Sequence, residues 1–322
     1  MPDLAPAEPT RAHTSAPTPA PSAPPWSPTS LGDQAGRTFL VTGANSGLGL
    51  AATRAFARHG AHVILAVRDP GRGEAARAEI LAEVPDARLE VRPLDLANLA
   101  SVRALASALR SEGRDIDVLL NNAGLAVAPL ALTAEGVELQ FGANHLGHFV
   151  LTALLFDRLR RDARIITVSS DFARRAGALD LDNLDGAKGF SAGRSYARSK
   201  LANLIFGLEL DRRLRAAGSP IKSVVVHPGF AATPGVTKVP GVLRLVMHAM
   251  SGLFAEPVDV GARSLLFGAT APGVESGQLI GPGARRTRIP TVETPTAHAL
   301  DLDAGRRLWE VSERLSGVEL RP

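Results

Sequence analysis

Short runs of β-branched and aliphatic residues alternate with longer helical segments from Arg37 onward. This alternation is typical of a parallel sheet whose strands are joined by crossover helices. It predicts strands at 37–42, 62–67, 88–94, 116–120, 164–169, 221–226 and near 277–280. It predicts helices at about 47–59, 72–83, 98–110, 135–160, 194–217, 259–269 and 301–315. We therefore expect an α/β fold, a doubly wound parallel sheet with helices on both faces.

The chain divides into a short proline-rich segment and one long domain. The first 30 residues contain nine prolines among Ala, Ser and Thr, without the apolar core of a signal peptide. This composition predicts a disordered tail at 1–30. No internal repeat or second composition regime follows, so we expect 31–322 to form a single domain. No stretch approaches the ~20 uninterrupted apolar residues of a membrane-spanning helix, so no transmembrane segment is expected.

Composition restricts the chemistry and the partners. The absence of cysteine excludes disulfides, thiolate metal sites and a cysteine nucleophile, and it fits the reducing cytoplasm, where we expect the protein. The pI of 10.1 suggests nucleic-acid binding, yet the net charge is only +4. The arginines are dispersed among acidic residues and no reader motif accompanies them. We therefore expect no nucleic-acid partner.

The predicted strands end in glycines and small polar residues. In doubly wound sheets, ligands bind outside the carboxyl ends of the strands, so these ends indicate a binding crevice. The ends of strands one to six are Thr42-Gly43, Arg68-Asp69, Asp95-Leu96, Asn121-Asn122-Ala123-Gly124, Ser169-Ser170 and Pro228-Gly229.

The turn after the first strand has glycines spaced G-x-x-x-G-x-G. Glycines let the backbone turn tightly and approach a pyrophosphate, which the free N–H groups of a helix N-terminus stabilise. An ordinary glycine-rich turn is the alternative, but the strand–turn–helix context favours a dinucleotide site. The predicted cofactor-binding residues of this turn are Gly43, Asn45, Ser46, Gly47, Leu48 and Gly49.

The end of the second strand discriminates between the two nicotinamide cofactors. A carboxylate there binds a ribose 2′-hydroxyl, whereas an arginine accommodates a 2′-phosphate. Val67 stands where the carboxylate is expected, and Arg68 follows it. Asp69 keeps NAD(H) as an alternative unless it caps the next helix. We expect Arg68 to bind the phosphate and NADP(H) to be favoured over NAD(H).

The only tyrosine, Tyr196, precedes one of only four lysines, Lys200, by four residues. On a helix this spacing places both side chains on one face. A nearby ammonium favours phenolate and brings the phenol toward useful acid–base strength. The alternative is a core tyrosine beside a solvated lysine. The context of the other motifs favours proton transfer.

These motifs together resemble the short-chain dehydrogenase/reductase family, whose members have a single Rossmann-type domain. The resemblance rests on Thr42–Gly49, Asn121-Asn122-Ala123-Gly124, Asn144, Ser170 and Tyr196-x-x-x-Lys200, and it covers about 36–315. Three segments look most like the retinol dehydrogenase group. They are Ala-Asn-His-Leu-Gly-His-Phe at 143–149, Tyr196–Asn203 and Leu308-Trp-Glu-Val-Ser312.

The resemblance implies four catalytic residues. Tyr196 would exchange a proton with the substrate oxygen, and Lys200 would lower the pKa of Tyr196 and hold the nicotinamide ribose. Ser170, chosen over Ser169 by the family pattern, would donate a hydrogen bond to the substrate oxygen. Asn144 would relay protons through water to Lys200. His145 and His148 are interpreted as structural, because no third metal ligand is recognisable.

The resemblance also implies the remaining cofactor contacts. Asp95, with Leu96, would meet the adenine ring. Asn122, Ala123 and Gly124 would line the adenosine side of the cofactor. The residues that would close over the nicotinamide are Pro228, Gly229 and Thr233.

We thus expect a small-molecule alcohol or carbonyl substrate. The apolar segment 241–250 lies where the family places a substrate lid and favours a hydrophobic molecule, although core packing predicts the same residues. Membrane retinol dehydrogenases carry an apolar N-terminal anchor, in contrast to the proline-rich tail. The light-dependent protochlorophyllide reductases rely on cysteine, which this chain lacks. A catalytically weak cofactor-sensing or partner-binding protein is the alternative, and the sequence leaves the oligomeric state open.

Overall fold

The computed structural model describes residues 26–229, 258–284 and 287–322. Within these ranges eight strands form one sheet, in the order β3-β2-β1-β4-β5-β6-β7-β8. Seven strands are parallel, and β8 pairs antiparallel with β7. The strands are β1 Thr38–Thr42, β2 His62–Val67, β3 Arg88–Pro93, β4 Ile116–Asn121, β5 Leu159–Val168, β6 Lys222–Val226, β7 Leu279–Gly281 and β8 Thr291–Glu293. The predicted doubly wound parallel sheet is confirmed, with an edge strand that the pattern did not predict.

Helices cover both faces of this sheet, as predicted. They are α1 Gly47–Arg58, α2 Pro70–Glu83, α3 Leu99–Ser111, α4 Leu139–Phe141, α5 Gly147–Leu155, α6 Ala192–Ala216, α7 Val258–Thr270 and α8 Leu302–Ser316. One core layer joins α1, α2 and α7 to the sheet, and the other joins α3, α5, α6 and α8 to it. None of the helices in the described ranges is long and apolar enough to cross a membrane.

Strand alternation explains the two core layers. In β1, Leu40 faces one layer, whereas Phe39 and Val41 face the other, and all three are fully buried. Successive side chains of a strand point to opposite faces, so a strand covered on both faces must be apolar throughout. Burial on both faces therefore explains why the strands appear in the sequence as continuous apolar runs.

The predicted helix 135–160 is wrong at both ends and interrupted inside. Leu139 is its first residue, because the Glu138 carboxylate accepts hydrogen bonds from the main-chain nitrogens of Gln140 and Phe141. A π-helical turn, Gly142–Leu146, separates α4 from α5, and β5 already begins at Leu159. A π turn inserts an extra residue into the helix and is frequent at functional sites.

The N-terminal boundary of the packed domain lies earlier than residue 31. The rings of Trp26 and Phe267 meet edge to face, with their centroids 5.3 Å apart. A short 3-10 helix, Pro28–Leu31, follows, and Leu31 is buried in the core. Trp26 therefore packs against α7 although it falls within the predicted tail, while 1–25 lie outside the described residues.

Candidate active site

The glycine turn after β1 packs closely on the end of β4. Gly43 has a φ of 67°, and a Cβ there would lie 3.0 Å from Ala123 Cα. A Cβ at Gly49 would lie 2.6 Å from Asn122 Nδ2 and would overlap the Gly43 carbonyl. Residues with side chains cannot be accommodated at these two positions, so the backbone stays bare at the carboxyl edge of the sheet.

The start of α1 fits an anionic pyrophosphate. Ser46 precedes α1 and makes no side-chain capping hydrogen bond, and the first turn carries no acidic residue. The first N–H groups of a 12-residue helix are thus uncapped by side chains and favour negative charge. Leu48 is buried, so it can offer a ligand only its backbone. Asn45 and Gly47 complete the turn, with Gly47 at a φ of 53°.

The end of β2 carries an exposed arginine beside a carboxylate that caps a helix. Val67 is buried, and Arg68 is exposed without an ion pair to any described residue. Asp69 caps α2 by accepting a hydrogen bond from the Arg72 main-chain nitrogen at 3.2 Å. The capping alternative for Asp69 is therefore the one that the structure shows.

The ends of β3 and β4 continue the same edge. Asp95 is half-buried, and its Oδ1 accepts a hydrogen bond from the Ala97 main-chain nitrogen at 3.0 Å. Leu96 is buried beneath Gly147 of α5. Asn122 Nδ2 donates to the Thr42 carbonyl at 2.7 Å, which joins the β4 loop to the glycine turn.

Because successive side chains of an extended chain alternate in direction, the two serines after β5 point to opposite sides. Ser169 Oγ donates to the Lys200 carbonyl at 2.7 Å, so this hydroxyl is committed to the backbone of α6. Ser170 Oγ accepts a hydrogen bond from the Phe172 main-chain nitrogen at 3.2 Å, and its hydroxyl is close enough to Tyr196 to act on the pKa of the phenol, which it lowers. The structure thus places Ser170, not Ser169, beside Tyr196.

The surroundings of Tyr196 raise its pKa, in the opposite direction to the sequence-based expectation. Burial raises the pKa because it disfavours phenolate, and the hydrogen bond to Ser170 lowers it by a smaller amount. Lys200 Nζ donates instead to the Val168 carbonyl at 3.0 Å. The phenol is therefore held as a proton donor at neutral pH.

Lys200 is itself buried, and burial lowers its pKa to about 8. A Cβ built on Gly124 would lie 3.3 Å from both Lys200 Nζ and Asn144 Oδ1. Lys200 Nζ and Asn144 Oδ1 therefore border the same space at the end of β4, although 56 residues separate the two residues in the sequence. Gly124, predicted to contact the cofactor, leaves the space beside them open.

Asn144 lies fully buried in the π turn and bonds to both sides of the site. Its Oδ1 accepts from the Leu125 main-chain nitrogen at 2.7 Å, and its Nδ2 donates to the Leu125 carbonyl at 2.9 Å. Nδ2 also donates to Ser199 Oγ at 2.9 Å, one residue before Lys200. The side chain therefore joins the β4 loop to α6.

A family model described as short chain dehydrogenase matches residues 37–240, which is more than half of the chain. The glycine turn, the β4 loop, Asn144, Ser170 and the Tyr196–Lys200 pair all lie inside the match. The chain belongs to the short chain dehydrogenase family. It is therefore an NAD(P)-dependent oxidoreductase acting on alcohol or carbonyl groups.

The similarity extends over nearly the whole chain. The chain is 38% identical to polyprenol dehydrogenase of Mus musculus over 297 residues, which cover 90% of this chain and 87% of the relative. It is 37% identical to retinol dehydrogenase 14 of Homo sapiens over 302 residues, covering 88% of this chain and 87% of the relative. A crystal structure of an uncharacterized protein from Mycobacterium Paratuberculosis superposes with a TM-score of 0.75 at 37% identity, covering 92% and 99% of the two chains. The predicted likeness to retinol dehydrogenases is confirmed.

The two histidines of the π-turn region bond to different elements of this short chain dehydrogenase. His145 Nε2 lies 2.9 Å from Ser312 Oγ on α8, whereas His148 Nε2 lies 2.8 Å from Thr42 Oγ1 at the end of β1. Burial lowers the pKa of His145 to about 3 and that of His148 to about 4. Among the described residues, no cluster of His, Asp and Glu is suited to hold a metal ion.

The nicotinamide-side residues follow β6. Pro228 and Gly229 are described, and Gly229 has a φ of 69°. Thr233 and the predicted lid at 241–250 lie outside the described residues.

Sequence reasoning missed the polar cluster next to Pro228 and Gly229. His227 Nδ1 accepts a hydrogen bond from the Gly229 main-chain nitrogen at 3.3 Å, and His227 Nε2 lies 3.1 Å from Glu293 Oε2 on β8. Arg174 donates to the same Glu293 oxygen at 2.8 Å. The position of His227 immediately before Pro228-Gly229 was the available signal.

Proposed function

We propose that this short chain dehydrogenase interconverts a carbonyl and an alcohol on a hydrophobic small molecule, with NADP(H) as the cofactor. The observation that carries the proposal is the arrangement at the carboxyl edge of the sheet. There Ser170 lies beside Tyr196, and Lys200 and Asn144 border the same space at Gly124. These four residues come from three segments, the end of β5, the π turn and α6, and the fold brings them to the edge where doubly wound sheets bind ligands.

In this proposal the residues handle the proton and the developing charge. The nicotinamide, when bound, supplies or accepts the hydride. Tyr196 donates the phenolic proton to the carbonyl oxygen during reduction and removes it from the alcohol during oxidation. Ser170 donates a hydrogen bond to the same oxygen, where negative charge develops. Because burial raises the pKa of Tyr196, the phenol is protonated at neutral pH and reduction starts from the correct form.

Lys200 and Asn144 replace the proton that Tyr196 transfers. A pKa of about 8 lets Lys200 exchange a proton near neutral pH far more readily than a solvated lysine does. Asn144 Oδ1 borders the same space at Gly124 as Lys200 Nζ, and it accepts a hydrogen bond from the Leu125 main-chain nitrogen. We assign the resupply of the proton to this pair and the contact with the nicotinamide ribose to Lys200.

The exposed guanidinium of Arg68, which has no ion pair to a described residue, supports NADP(H) as the preferred cofactor. Arg68 is exposed at the end of β2, and Asp69 is engaged in capping α2. A carboxylate committed to a helix N-terminus is a poor partner for a ribose 2′-hydroxyl, whereas an arginine fork suits a phosphate.

Two observations support a hydrophobic substrate. The ring of Phe172 meets the Tyr196 ring edge to face at 5.7 Å, so an apolar surface adjoins the proposed proton donor. The similar proteins include a polyprenol dehydrogenase and retinol dehydrogenases, whose names specify apolar alcohols.

An activity screen tests the proposal. Apolar aldehydes, ketones and alcohols are offered with NADPH, NADH, NADP⁺ and NAD⁺, and nicotinamide absorbance is followed. Tyr196→Phe is the matched variant, because it keeps the ring and removes only the hydroxyl. Its turnover should fall by ~10²–10⁴, with NADPH binding nearly intact. Near-normal turnover in Tyr196→Phe would return Tyr196 to a packing role, and a parent protein that turns over none of these compounds contradicts the proposed function.

A further inference from the structure

A buried chain of hydrogen bonds connects the cofactor-side loops to the π turn. Thr42 Oγ1 lies 2.9 Å from the main-chain nitrogens of both Asn122 and Ala123, and 2.8 Å from His148 Nε2. On the other side of the ring, His148 Nδ1 lies 2.9 Å from the Asn144 carbonyl oxygen. Thr42 and His148 are at most 1% exposed, so water does not compete for these bonds.

The partners determine the direction of every bond in this chain. The Asn144 carbonyl can only accept, so His148 Nδ1 carries the proton. The Nε2 of a neutral ring is then an acceptor, and the Thr42 hydroxyl donates to it at 2.8 Å, with the Leu120 carbonyl as a second, longer acceptor at 3.3 Å. Thr42 Oγ1 in turn accepts the two main-chain N–H groups. Burial lowers the pKa of His148 to about 4, which keeps the ring neutral at physiological pH.

The same chain continues from Asn144 to the catalytic helix. Asn144 Nδ2 donates to Ser199 Oγ at 2.9 Å, and Ser199 Oγ donates to the Tyr196 carbonyl at 2.8 Å. One continuous network therefore runs from β1 and β4, through the π turn, to the backbone of Tyr196. Buried networks with every member satisfied hold their elements in a single arrangement.

We propose that His148 is a positioning residue that keeps the cofactor-side loop and the proton-relay residue in register. Its Nδ1–H fixes the carbonyl of Asn144 in the π turn. Its Nε2 fixes Thr42, and through Thr42 the main chain at Asn122 and Ala123. The roles given to these neighbours rest on the proposed function, whereas the hydrogen-bond pattern itself does not.

His145 provides a matched comparison. It lies in the same region, is equally buried, and bonds through Nε2 to Ser312 on α8. Its Nδ1 has no hydrogen-bond partner among the described residues. A purely structural role for His148 predicts similar effects from substitutions at 145 and 148, and a positioning role predicts kinetic effects at 148 alone.

Two substitutions separate the two bonds of His148. The amide of His148→Gln reaches the Nε2 position and keeps the bond to Thr42, while losing Asn144. The amide of His148→Asn lies near the Nδ1 position and keeps the bond to Asn144, while losing Thr42. Turnover and NADP(H) affinity are measured for both, with His145→Gln as the control and thermal unfolding as the test of folding.

We expect His148→Gln to lower kcat by about tenfold or more with the Kd for NADP(H) within about threefold, because small displacements of relay groups cost rate. We expect His148→Asn to weaken NADP(H) binding by about fivefold, as loss of one buried hydrogen bond does, with a smaller effect on kcat. His145→Gln should lower Tm with kcat and Kd within about twofold of the parent protein. Identical kinetic effects in the two His148 variants, or an equal effect in His145→Gln, would overturn the proposal.

A spectroscopic measurement needs no activity. Ring ¹⁵N shifts of His148, identified by their absence in His148→Gln, should show a neutral ring with the proton on Nδ1 at pH 7. A protonated ring or the Nε2–H tautomer overturns the proposal directly. If the tautomer is as expected but no substrate is turned over, the proposed reaction fails alone, and NADP(H) binding by the two His148 variants then decides the positioning role. A parent protein that binds no NADP(H) overturns both.

Discussion

At the scale of single residues, burial acts in opposite senses on the two ionisable groups of the catalytic helix. It raises the pKa of Tyr196 and lowers that of Lys200, because the charged form is disfavoured in both cases. The spacing of the two residues was readable from the sequence. The direction of the tyrosine pKa shift was not, since it depends on the packing around the ring and on Lys200 donating to Val168.

Lys200→Met is expected to stabilise the fold at pH 7 while abolishing efficient turnover. The unfolded chain holds the lysine proton with a pKa of 10.5 and the folded chain with about 8, so the ammonium opposes folding below pH 8. That opposition fades as the pH rises from about 8 to 10.5. The unfavourable contribution of the ammonium to the free energy of unfolding is at most about 3 kcal/mol. The Val168 carbonyl keeps a donor in the variant, because Asn203 Nδ2 lies 3.1 Å from it.

Denaturant unfolding at pH 7 and pH 9.5 measures this effect. At pH 7, Lys200→Met should have a higher free energy of unfolding than the parent protein. The free energy of unfolding of the parent protein should rise between pH 7 and pH 9.5, and that of Lys200→Met should not. Lys222→Met is the control, because Lys222 Nζ also donates to a carbonyl, that of Val274, but lies partly exposed. A lower stability of Lys200→Met than of the parent protein at pH 7 would show that the ammonium contributes favourably to folding.

Arg68→Ala is expected to reduce the preference for NADPH over NADH. Loss of a charge-assisted hydrogen bond costs ~1.5–3 kcal/mol, which applies to NADPH alone because NADH lacks the 2′-phosphate. Fluorescence titration of both cofactors gives the ratio. Arg58→Ala, at the far end of α1 and paired with Glu83, is the control. An unchanged ratio of NADPH to NADH affinity in Arg68→Ala would contradict the assignment of Arg68 to the 2′-phosphate.

At the scale of elements, the sequence predicted the parallel strands well, because each is an uninterrupted apolar run ended by glycine or polar residues. It did not predict the π turn, since the apolar pattern of 139–155 continues through Gly142–Leu146 without a change of period. Nor did it predict β8, which is three residues long, partly exposed and without alternation. Pairing with β7 creates this strand, and pairing is not visible in local sequence.

β8 matters because it carries Glu293 to His227. A Cβ on Gly281 would overlap the Glu293 carboxylate and lie 2.7 Å from His227 Nε2, so the glycine gives the carboxylate its place. We expect Glu293→Ala to loosen the main chain at Pro228 and Gly229, weakening NADP(H) binding severalfold and destabilising the fold by ~1–3 kcal/mol. Gly281→Ala should act in the same direction by displacing Glu293.

NADP(H) titration and denaturant unfolding measure both effects. Val292→Ala, an exposed neighbour on β8, is the control and should leave both quantities unchanged. If Glu293→Ala binds NADP(H) as the parent protein does, the contact between Glu293 and His227 has no effect on cofactor binding.

At the scale of the whole molecule, the fold assembles the site from residues far apart in sequence. Motifs identified the individual residues at the strand ends, and the topology accounts for their common edge. The bonds between them were not predictable, because Thr42 and His148 are 106 positions apart and Arg174 and Glu293 are 119 apart. Such pairings depend on side-chain packing across elements, which no local pattern encodes.

The N-terminal segment 26–31 is expected to contribute to the stability of the domain. Trp26 packs against Phe267 of α7, and Leu31 is 3% exposed in the core layer that contains α1. A chain that starts at residue 26 should unfold at the same temperature as the full chain, because the composition of 1–25 predicts no packed structure. A chain that starts at residue 32 should lose ~2–4 kcal/mol of its free energy of unfolding, since a buried leucine and an aromatic contact are removed.

Point substitutions test the same segment. Leu31→Ala should reproduce much of the loss in free energy of unfolding, and Ser30→Ala, at an exposed position, should not. Equal melting temperatures for the chains starting at 26 and 32 would show that the segment adds nothing to stability.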